Sequence, residues 1–219
     1  MRKTIIVGTG AVAAELTSYI LDNNKAVDDE SKKEILGYIE FEENIEKYWK
    51  KYQLEKPVLG DIDNYDFTDE VEVIIGIADI DFRNKMINRV LEKKVKIGQF
   101  IHHSVIVPSN TELGIGNIIY PYCIIGPNCK IGDYNLITSY SFISHDTIIG
   151  DRNFLSTAGL AGRVCMGHNN FLGIRSTVLP GITIGDRNTI QAGMIVDKSV
   201  GDYATIFYKF KEKISIIKQ

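Results

Sequence analysis

An aliphatic side chain recurs every six positions between residues 101 and 196, and this period constrains the fold more than any other feature of the chain. A period of six fits neither an α-helix nor an alternating strand. It is typical of a parallel β-helix, in which each six residues supply one short strand and one corner. The inward positions are Ile101, Val107, Leu113, Ile119, Ile125, Ile131, Ile137, Ile143, Ile149 and Leu155, then Met166, Leu172, Val178, Ile184, Ile190 and Val196.

Glycine often follows the aliphatic residue, as at Gly126 and Gly132, where a Cβ would crowd the corner. After Ala161 one step is a residue short, so the period is irregular between Leu155 and Met166. Antiparallel hairpins are the alternative, but they would give variable spacing, with turns about every eight to twelve residues. We therefore expect coils of three sixes at 101–118, 119–136, 137–154, 155–171 and 172–189, followed by a partial coil.

The first hundred residues instead alternate strand and helix patterns. This alternation predicts a small parallel sheet covered by helices, a Rossmann-like α/β domain. We expect this domain at 1–98, an all-β parallel β-helix at 99–197, and a C-terminal cap or tail at 198–219. Strand patterns lie at 4–8, 34–41, 71–77 and 95–100, and helix patterns run from the first glycine turn to about Leu21 and over 79–93.

Another helix-compatible segment, 42–56, carries aromatic residues that include Trp49 and Tyr52 along one side. We interpret it as a surface helix that packs its aromatic side chains on the sheet. An aromatic platform for a substrate is the alternative.

Composition narrows the class of protein. The chain has 219 residues and a formal net charge of -3, and it contains no block of Lys and Arg, so nucleic acid is not an expected partner. Residues 1–7 lack the apolar run of a signal peptide, and no stretch is long enough to span a bilayer. We expect a cytoplasmic protein without membrane insertion. The cysteines form no CxxC pair and are expected to be small core residues: Cys123, Cys129 and Cys165.

The turn after the first strand pattern predicts a nucleotide site. A strand, a glycine turn and a helix N-terminus can cradle phosphate, because the backbone N–H groups point out of the helix end. Gly8, Thr9 and Gly10 form that turn, and Glu40 ends the second strand pattern, where an acid can contact a ribose or base. A tight strand-to-helix turn without a ligand is the alternative.

His145 is the candidate catalytic residue. It occupies the third place of its six, which should be an outer corner, and Asp146 follows it. A histidine with a pKa near ~6.5 suits a general base, and an adjacent carboxylate fixes its tautomer. A solvated corner residue is the alternative. His102, His103 and His168 suggest no metal cluster, so we expect no metal and only surface or junction roles for them.

Three motifs together resemble one bacterial family. They are a GTGAVAAE first turn, a PVLGD stretch that contains Gly60, and hexapeptides with SHDTIIGD at 144–151. The family comprises nucleotide-linked amino-sugar N-acetyltransferases of glycan biosynthesis and related sialic acid O-acetyltransferases. The resemblance covers residues 1 to about 197. It implies a left-handed β-helix, a homotrimer, and an N-terminal domain that holds the nucleotide part of the sugar, with Gly60 among the substrate contacts.

The same resemblance implies the roles of individual residues. The catalytic histidine and acid of the family match His145 and Asp146. The implied acetyl-CoA contacts fall on Gly162, Gly173, Ile174, Ala192 and Gly193. The expected activity is acetyl transfer from acetyl-CoA to a nucleotide-linked amino sugar, with a 4-amino-4,6-dideoxy sugar as the expected acceptor. A sugar O-acetyltransferase and a non-catalytic nucleotide-binding scaffold are the alternatives.

Overall fold

The computed structural model describes residues 1–40 and 51–208. Within these ranges, the N-terminal part contains five strands and two helices. They are β1 (Arg2–Val7), α1 (Ala11–Ala26), β2 (Lys33–Ile39), β3 (Val58–Gly60), β4 (Val71–Ile75), α2 (Ile80–Glu92) and β5 (Lys96–Ile97).

All five strands pair in parallel, in the order β3-β2-β1-β4-β5. Alternate residues of β1 point to opposite sides of this sheet. Ile6 packs with Leu16 of α1, whereas Ile5 packs with Met86 of α2. The two helices therefore cover opposite sides, and the strand order reverses direction between β1 and β4. Ligands bind α/β sheets at such a switch point, beyond the carboxyl ends of the strands.

Several predicted boundaries in this part differ from the structure. Helix α1 continues five residues beyond Leu21, because the polar residues of its last turns are compatible with a helix but carry no periodic signal. Strand β3 was not predicted as a separate strand. The predicted helix over 42–56 lies largely outside the described residues, and its described part, 51–56, forms turns and loop rather than helix.

The rest of the described chain is a column of two-residue strands. They are β6 (Phe100–Ile101), β7 (Glu112–Leu113), β8 (Ile118–Ile119), β9 (Ile124–Ile125), β10 (Lys130–Ile131), β11 (Leu136–Ile137), β12 (Phe142–Ile143), β13 (Ile148–Ile149), β14 (Phe154–Leu155), β15 (Gly159–Leu160), β16 (Cys165–Met166), β17 (Phe171–Leu172), β18 (Thr177–Val178), β19 (Thr183–Ile184), β20 (Thr189–Ile190), β21 (Ile195–Val196) and β22 (Thr205–Ile206).

These strands stack in parallel into three sheets, which we call the first, second and third faces of the β-helix. The first face contains β6, β8, β11, β14, β17, β20 and β22. The second contains β9, β12, β15, β18 and β21, and the third contains β7, β10, β13, β16 and β19. The predicted inward aliphatic residues form one continuous core between the faces. The six-residue period therefore gave the correct inward positions.

The short step lies earlier than predicted. Leu160, rather than Ala161, is the inward residue of its strand, and Gly159 and Leu160 pair with Phe142 and Ile143. Leu160 therefore follows Leu155 by five positions rather than six. The column also continues past Val196, because β22 pairs with β20 and Ile206 packs against the core.

One cysteine differs from its prediction. Cys123 and Cys129 are buried, but Cys165 is exposed on the third face. It is the first residue of its two-residue strand, which points outward, and Met166 takes the inward position.

The N-terminal domain packs on the first face. The outward side chains of Phe100, Ile118, Leu136 and Phe154 are buried in one cluster with residues of α1 such as Leu16. Direct bonds join the two parts, such as that from the amide of Asn84 to Asn169 (2.8 Å). None of the helices in the described ranges is long and apolar enough to cross a membrane.

Candidate functional site

The corner between the second and third faces carries the predicted catalytic pair. His145 and Asp146 lie in the turn between β12 and β13, and Asp146 adopts a left-handed conformation with φ of 59°. The Nδ1 atom of His145 lies 2.7 Å from Oδ2 of Asp146. Since a carboxylate only accepts hydrogen bonds, Nδ1 carries the proton and the lone pair of Nε2 remains for a substrate.

Neighbouring coils hold this turn on both sides. The backbone N–H of Asp146 donates to the carbonyl of Pro127 (3.1 Å), and the carbonyl of His145 accepts from the N–H of Arg163 (3.0 Å). The amide of Asn128 donates to Oδ1 of Asp146 (2.6 Å). This bond, with the bond from His145, holds the pKa of Asp146 below its ordinary value.

Gly162 lies directly against the imidazole of His145. A Cβ at this position would stand 2.7 Å from both Cε1 and Nε2 of the ring. A glycine is needed here because of the ring, and the turn of the next coil thus forms one wall beside the reactive nitrogen. Gly162 was predicted as an acetyl-CoA contact, and that role stays a prediction.

The other predicted acetyl-CoA residues gather elsewhere, on the corner between the first and second faces. Gly173, Ile174 and Ala192 line one groove of about 450 Å³. Gly173 is closely packed, since a Cβ there would stand 2.6 Å from the backbone nitrogen of Ala192. Gly193 adjoins the groove, and its carbonyl accepts from the Tyr208 hydroxyl at 3.5 Å. Residues that sequence reasoning did not assign to this groove also line it: Ser156, Phe171, Thr189, Gln191, Met194 and Tyr208.

The glycine turn of the N-terminal domain borders a third cavity, of about 290 Å³, at the switch point of the sheet. Gly8, Gly10 and Glu40 line it together with Gly76 and Phe82. Gly76 follows a buried strand just as Gly8 does, so its place in the sequence could have predicted that it lines the cavity. Tyr52, from the segment considered as an aromatic platform, also lines this cavity.

Thr9 and Glu40 bond to each other inside this turn. Both the backbone N–H and the hydroxyl of Thr9 donate to Oε2 of Glu40, each at 3.0 Å. The N–H of Glu40 donates in turn to the carbonyl of Gly60 (3.1 Å). Gly60 therefore supports the position of Glu40 and does not line the cavity. Gly10 caps α1 without a side-chain bond, and the N–H groups in the first turn of a helix have no acceptor within the helix itself.

The predicted residues thus lie in three places. The cavity at the N-terminal sheet belongs to the domain that covers the first face. His145 lies on the corner between the other two faces, which is opposite the first face in a three-sided column. Within the described ranges, 1–40 and 51–208, no group of three His, Cys, Asp or Glu side chains could hold a metal ion.

Comparison with known proteins agrees with this architecture. A family model described as bacterial transferase hexapeptide (six repeats) matches residues 110–145. No curated protein sequence matches the chain significantly. Solved structures, in contrast, match nearly its whole length, among them PerB, WeeI and the acetyltransferase domain of PglB.

The first is PerB from Caulobacter crescentus, solved in complex with CoA and GDP-perosamine. It is 22% identical, with 94% of this chain and 93% of that chain covered and a TM-score of 0.76. WeeI from Acinetobacter baumannii is 20% identical, with coverage of 94% and 96% and a TM-score of 0.78. The acetyltransferase domain of PglB from Neisseria gonorrhoeae is 15% identical, with coverage of 94% and 96% and a TM-score of 0.77.

These matches confirm the predicted fold class, a small α/β domain followed by a left-handed parallel β-helix. They also agree with the sequence resemblance, since PerB is described as a GDP-perosamine N-acetyltransferase. Other structures of that enzyme carry asparagine or alanine in place of one histidine.

Proposed function

We propose that this chain is an acetyl-CoA-dependent N-acetyltransferase that acts on a nucleotide-linked amino sugar. The observation that carries the proposal is the pair formed by His145 and Asp146, with Nδ1 held at 2.7 Å from the carboxylate and the ring exposed at a corner. The structural similarity to a GDP-perosamine N-acetyltransferase supports the class of substrate. A 4-amino-4,6-dideoxy sugar is the acceptor that we expect.

The chemistry of the pair fits acetyl transfer to an amine. The amine must be neutral when it attacks the thioester carbonyl, and the attacking nitrogen must then lose a proton. Nε2 of His145 can accept this proton, while Asp146 stabilises the imidazolium that forms. A new C–N bond forms, the C–S bond breaks, and CoA leaves as the thiolate. A base in this role typically contributes ~10²–10⁴-fold to the rate.

The two binding regions suit the two substrates. The cavity beside Gly8, Gly10 and Glu40 has room for part of a nucleotide, and the N-terminus of α1 favours an anion. The Glu40 carboxylate in the same wall favours hydroxyl or N–H donors, such as those of a ribose or base. The groove at Gly173, Ile174 and Ala192 offers apolar and aromatic surface that suits CoA.

The positions of the nucleotide cavity and of His145 in one chain support assembly into a homotrimer. Within one chain the nucleotide cavity and His145 lie on opposite sides of the β-helix, so a complete site needs a neighbouring chain. The second face supports the same conclusion, since it exposes large apolar side chains that a partner would cover. They are Ile106, Ile124, Phe142 and Ile195. We further propose that the enzyme works in the cytoplasm, where acetyl-CoA and nucleotide sugars are available.

The test is a panel of UDP-, dTDP- and GDP-linked 4-amino-4,6-dideoxy sugars, each incubated with acetyl-CoA and analysed by mass. We expect one of them to gain a single acetyl group. The matched control is the same nucleotide sugar with a hydroxyl in place of the amine. Acetylation of the hydroxyl sugar alone would favour an O-acetyltransferase. A chain that acetylates none of them and does not bind CoA in calorimetry would contradict the proposal.

A further inference from the structure

Asp146 uses its two carboxylate oxygens for two different partners. Oδ2 faces Nδ1 of His145 at 2.7 Å, and Oδ1 accepts from the side-chain amide of Asn128 at 2.6 Å. Asn128 lies 18 residues before Asp146, which is one coil of the β-helix, and so occupies the same corner one coil earlier. Both distances are short, as expected for hydrogen bonds to a charged carboxylate.

The backbone fixes this relationship. Asn128 and Asp146 both have φ of 59°, so their turns have the same left-handed geometry. The bond from the Asp146 N–H to the carbonyl of Pro127 sets the spacing between the two turns. The amide of Asn128 is therefore held in one place relative to the carboxylate by the stacking of the coils, before any ligand binds.

We propose that Asn128 is a positioning residue for the acetyl transfer proposed above. Its amide holds Oδ1 of Asp146, which leaves Oδ2 aimed at Nδ1 of His145 and keeps the lone pair on Nε2. This inference rests on the proposed function, in which His145 is the base. The three residues form a chain of two hydrogen bonds that crosses from one coil to the next.

The charges around the pair agree with this role. Arg163, on the following coil, adds to the lowering of the pKa of Asp146, although the bond from Asn128 is the largest cause. The thiol of Cys129, which is buried in the core, lies near Asp146, and burial raises its pKa, so it stays neutral. The lowered pKa keeps Asp146 ionised, so the orientation of its carboxylate is what remains to be fixed.

Asn128 could instead serve only to permit the left-handed turn, and variants can separate this role from that of its amide. Asparagine tolerates the left-handed region better than most residues, and that alone explains its presence in such a turn. Glycine tolerates the same region without strain. Asn128→Gly therefore keeps the turn and removes only the amide. Asn128→Asp keeps the shape of the side chain and places a second negative charge against Asp146.

The experiment measures both the tautomer of His145 and the kinetics. In the free protein, ¹⁵N NMR of the imidazole should show the proton on Nδ1, and Asn128→Gly should give a mixture of the two tautomers. With the acceptor sugar, Asn128→Gly should lower kcat about tenfold with KM unchanged. Asn128→Asp should also lower kcat, because its carboxylate cannot donate to Oδ1 and repels Asp146 away from Nδ1 of His145.

Arg187→Gly is the matched control, since Arg187 also occupies a left-handed turn, with φ of 57°, on another corner. It should behave as the wild type in both measurements. An unchanged tautomer and unchanged kcat in both Asn128 variants would overturn the inference. The NMR measurement needs no substrate, so it decides the role of Asn128 in holding the pair even if the chain acetylates no amino sugar.

Discussion

Gly162 lies so close to His145 that a Cβ at position 162 would stand 2.7 Å from both Cε1 and Nε2 of the imidazole. The β-helix brings the two residues together, because the turn after β15 stacks on the turn after β12. The backbone of Gly162 thus covers one side of Nε2, the nitrogen that would accept a proton. The base is placed by two neighbouring coils as well as by its own.

Gly162→Ala should therefore displace His145 without unfolding the chain. The imidazole is half-exposed and can turn toward solvent, but it then loses its bond to Asp146. We expect kcat to fall ~10- to 100-fold, because small misplacements of a catalytic group have effects of this size. Gly201→Ala is the control, since a Cβ there meets no atom within 4 Å. Wild-type kcat in Gly162→Ala would mean that the base does not act from this position.

Asn153→Ala should destabilise the β-helix. Asn153 is fully buried within a ladder of asparagines, and its Oδ1 accepts from the backbone N–H (2.8 Å) and the amide (3.0 Å) of Asn170. Truncation leaves these buried donors without a partner, at a cost of about 1–3 kcal/mol. Asn110→Ala, at an exposed asparagine, should have almost no effect. Chemical denaturation measures the stability of both variants. Equal midpoints would show that the asparagine ladder does not stabilise the β-helix.

His102 should make stability depend on pH. It is 2% exposed between α1 and the first face, and burial, with a smaller contribution from His103, lowers its pKa. The folded pKa of His102 is below its unfolded value of about 6.5. Its contribution to the stability of the folded chain is therefore fully present above that pH. The contribution is lost as the pH falls from there toward the folded pKa, with a slope of at most ~1.4 kcal/mol per pH unit for one proton.

Denaturation of His102→Gln and His103→Gln, measured above and below about pH 6.5, tests this expectation. His103 is the matched control, because it adjoins His102 but is exposed. The loss of stability on acidification should shrink in His102→Gln and persist in His103→Gln. If acidification destabilises His102→Gln as much as the wild type, another group is responsible.

Ile124→Glu should disrupt the proposed homotrimer. Ile124 is 51% exposed on the second face, next to the stacked rings of Tyr122 and Tyr140, whose centroids are 5.4 Å apart. Ile148 is 48% exposed on the third face and serves as the control. Light scattering after gel filtration should give the mass of one chain for Ile124→Glu and of three for Ile148→Glu. Trimers in both variants would exclude the second face as the interface.

Much of the β-helix could be predicted because its signal is repeated. Each inward residue from Ile101 to Val196 has an equivalent in every coil, so the period survives a single irregular step. The position of that step was wrong, since Leu160 and Ala161 are both apolar and only strand pairing separates them. The exposure of Cys165 was not predicted for a similar reason. Cys165 and Met166 are both apolar, so the sequence of this two-residue strand does not show which side chain points outward.

The site was less predictable because it depends on neighbouring coils. The motif predicts His145 and Asp146 as a pair, and the structure places them within hydrogen-bonding distance. Asn128 carries no motif, although its position one coil before Asp146 was a usable signal. Likewise, Gly162 was assigned by resemblance to acetyl-CoA, whereas its contact with His145 follows only from stacking. The bond between Thr9 and Glu40 joins two strands that are distant in sequence.

The most direct test of the account is the rate of acetyl transfer to the amino sugar by His145→Ala, with His103→Ala as the exposed control. If His145 is the base, its loss should lower kcat ~10²-fold or more, leave the mass of the assembly and the binding of CoA unchanged, and leave His103→Ala fully active. Wild-type turnover in His145→Ala would contradict the central claim.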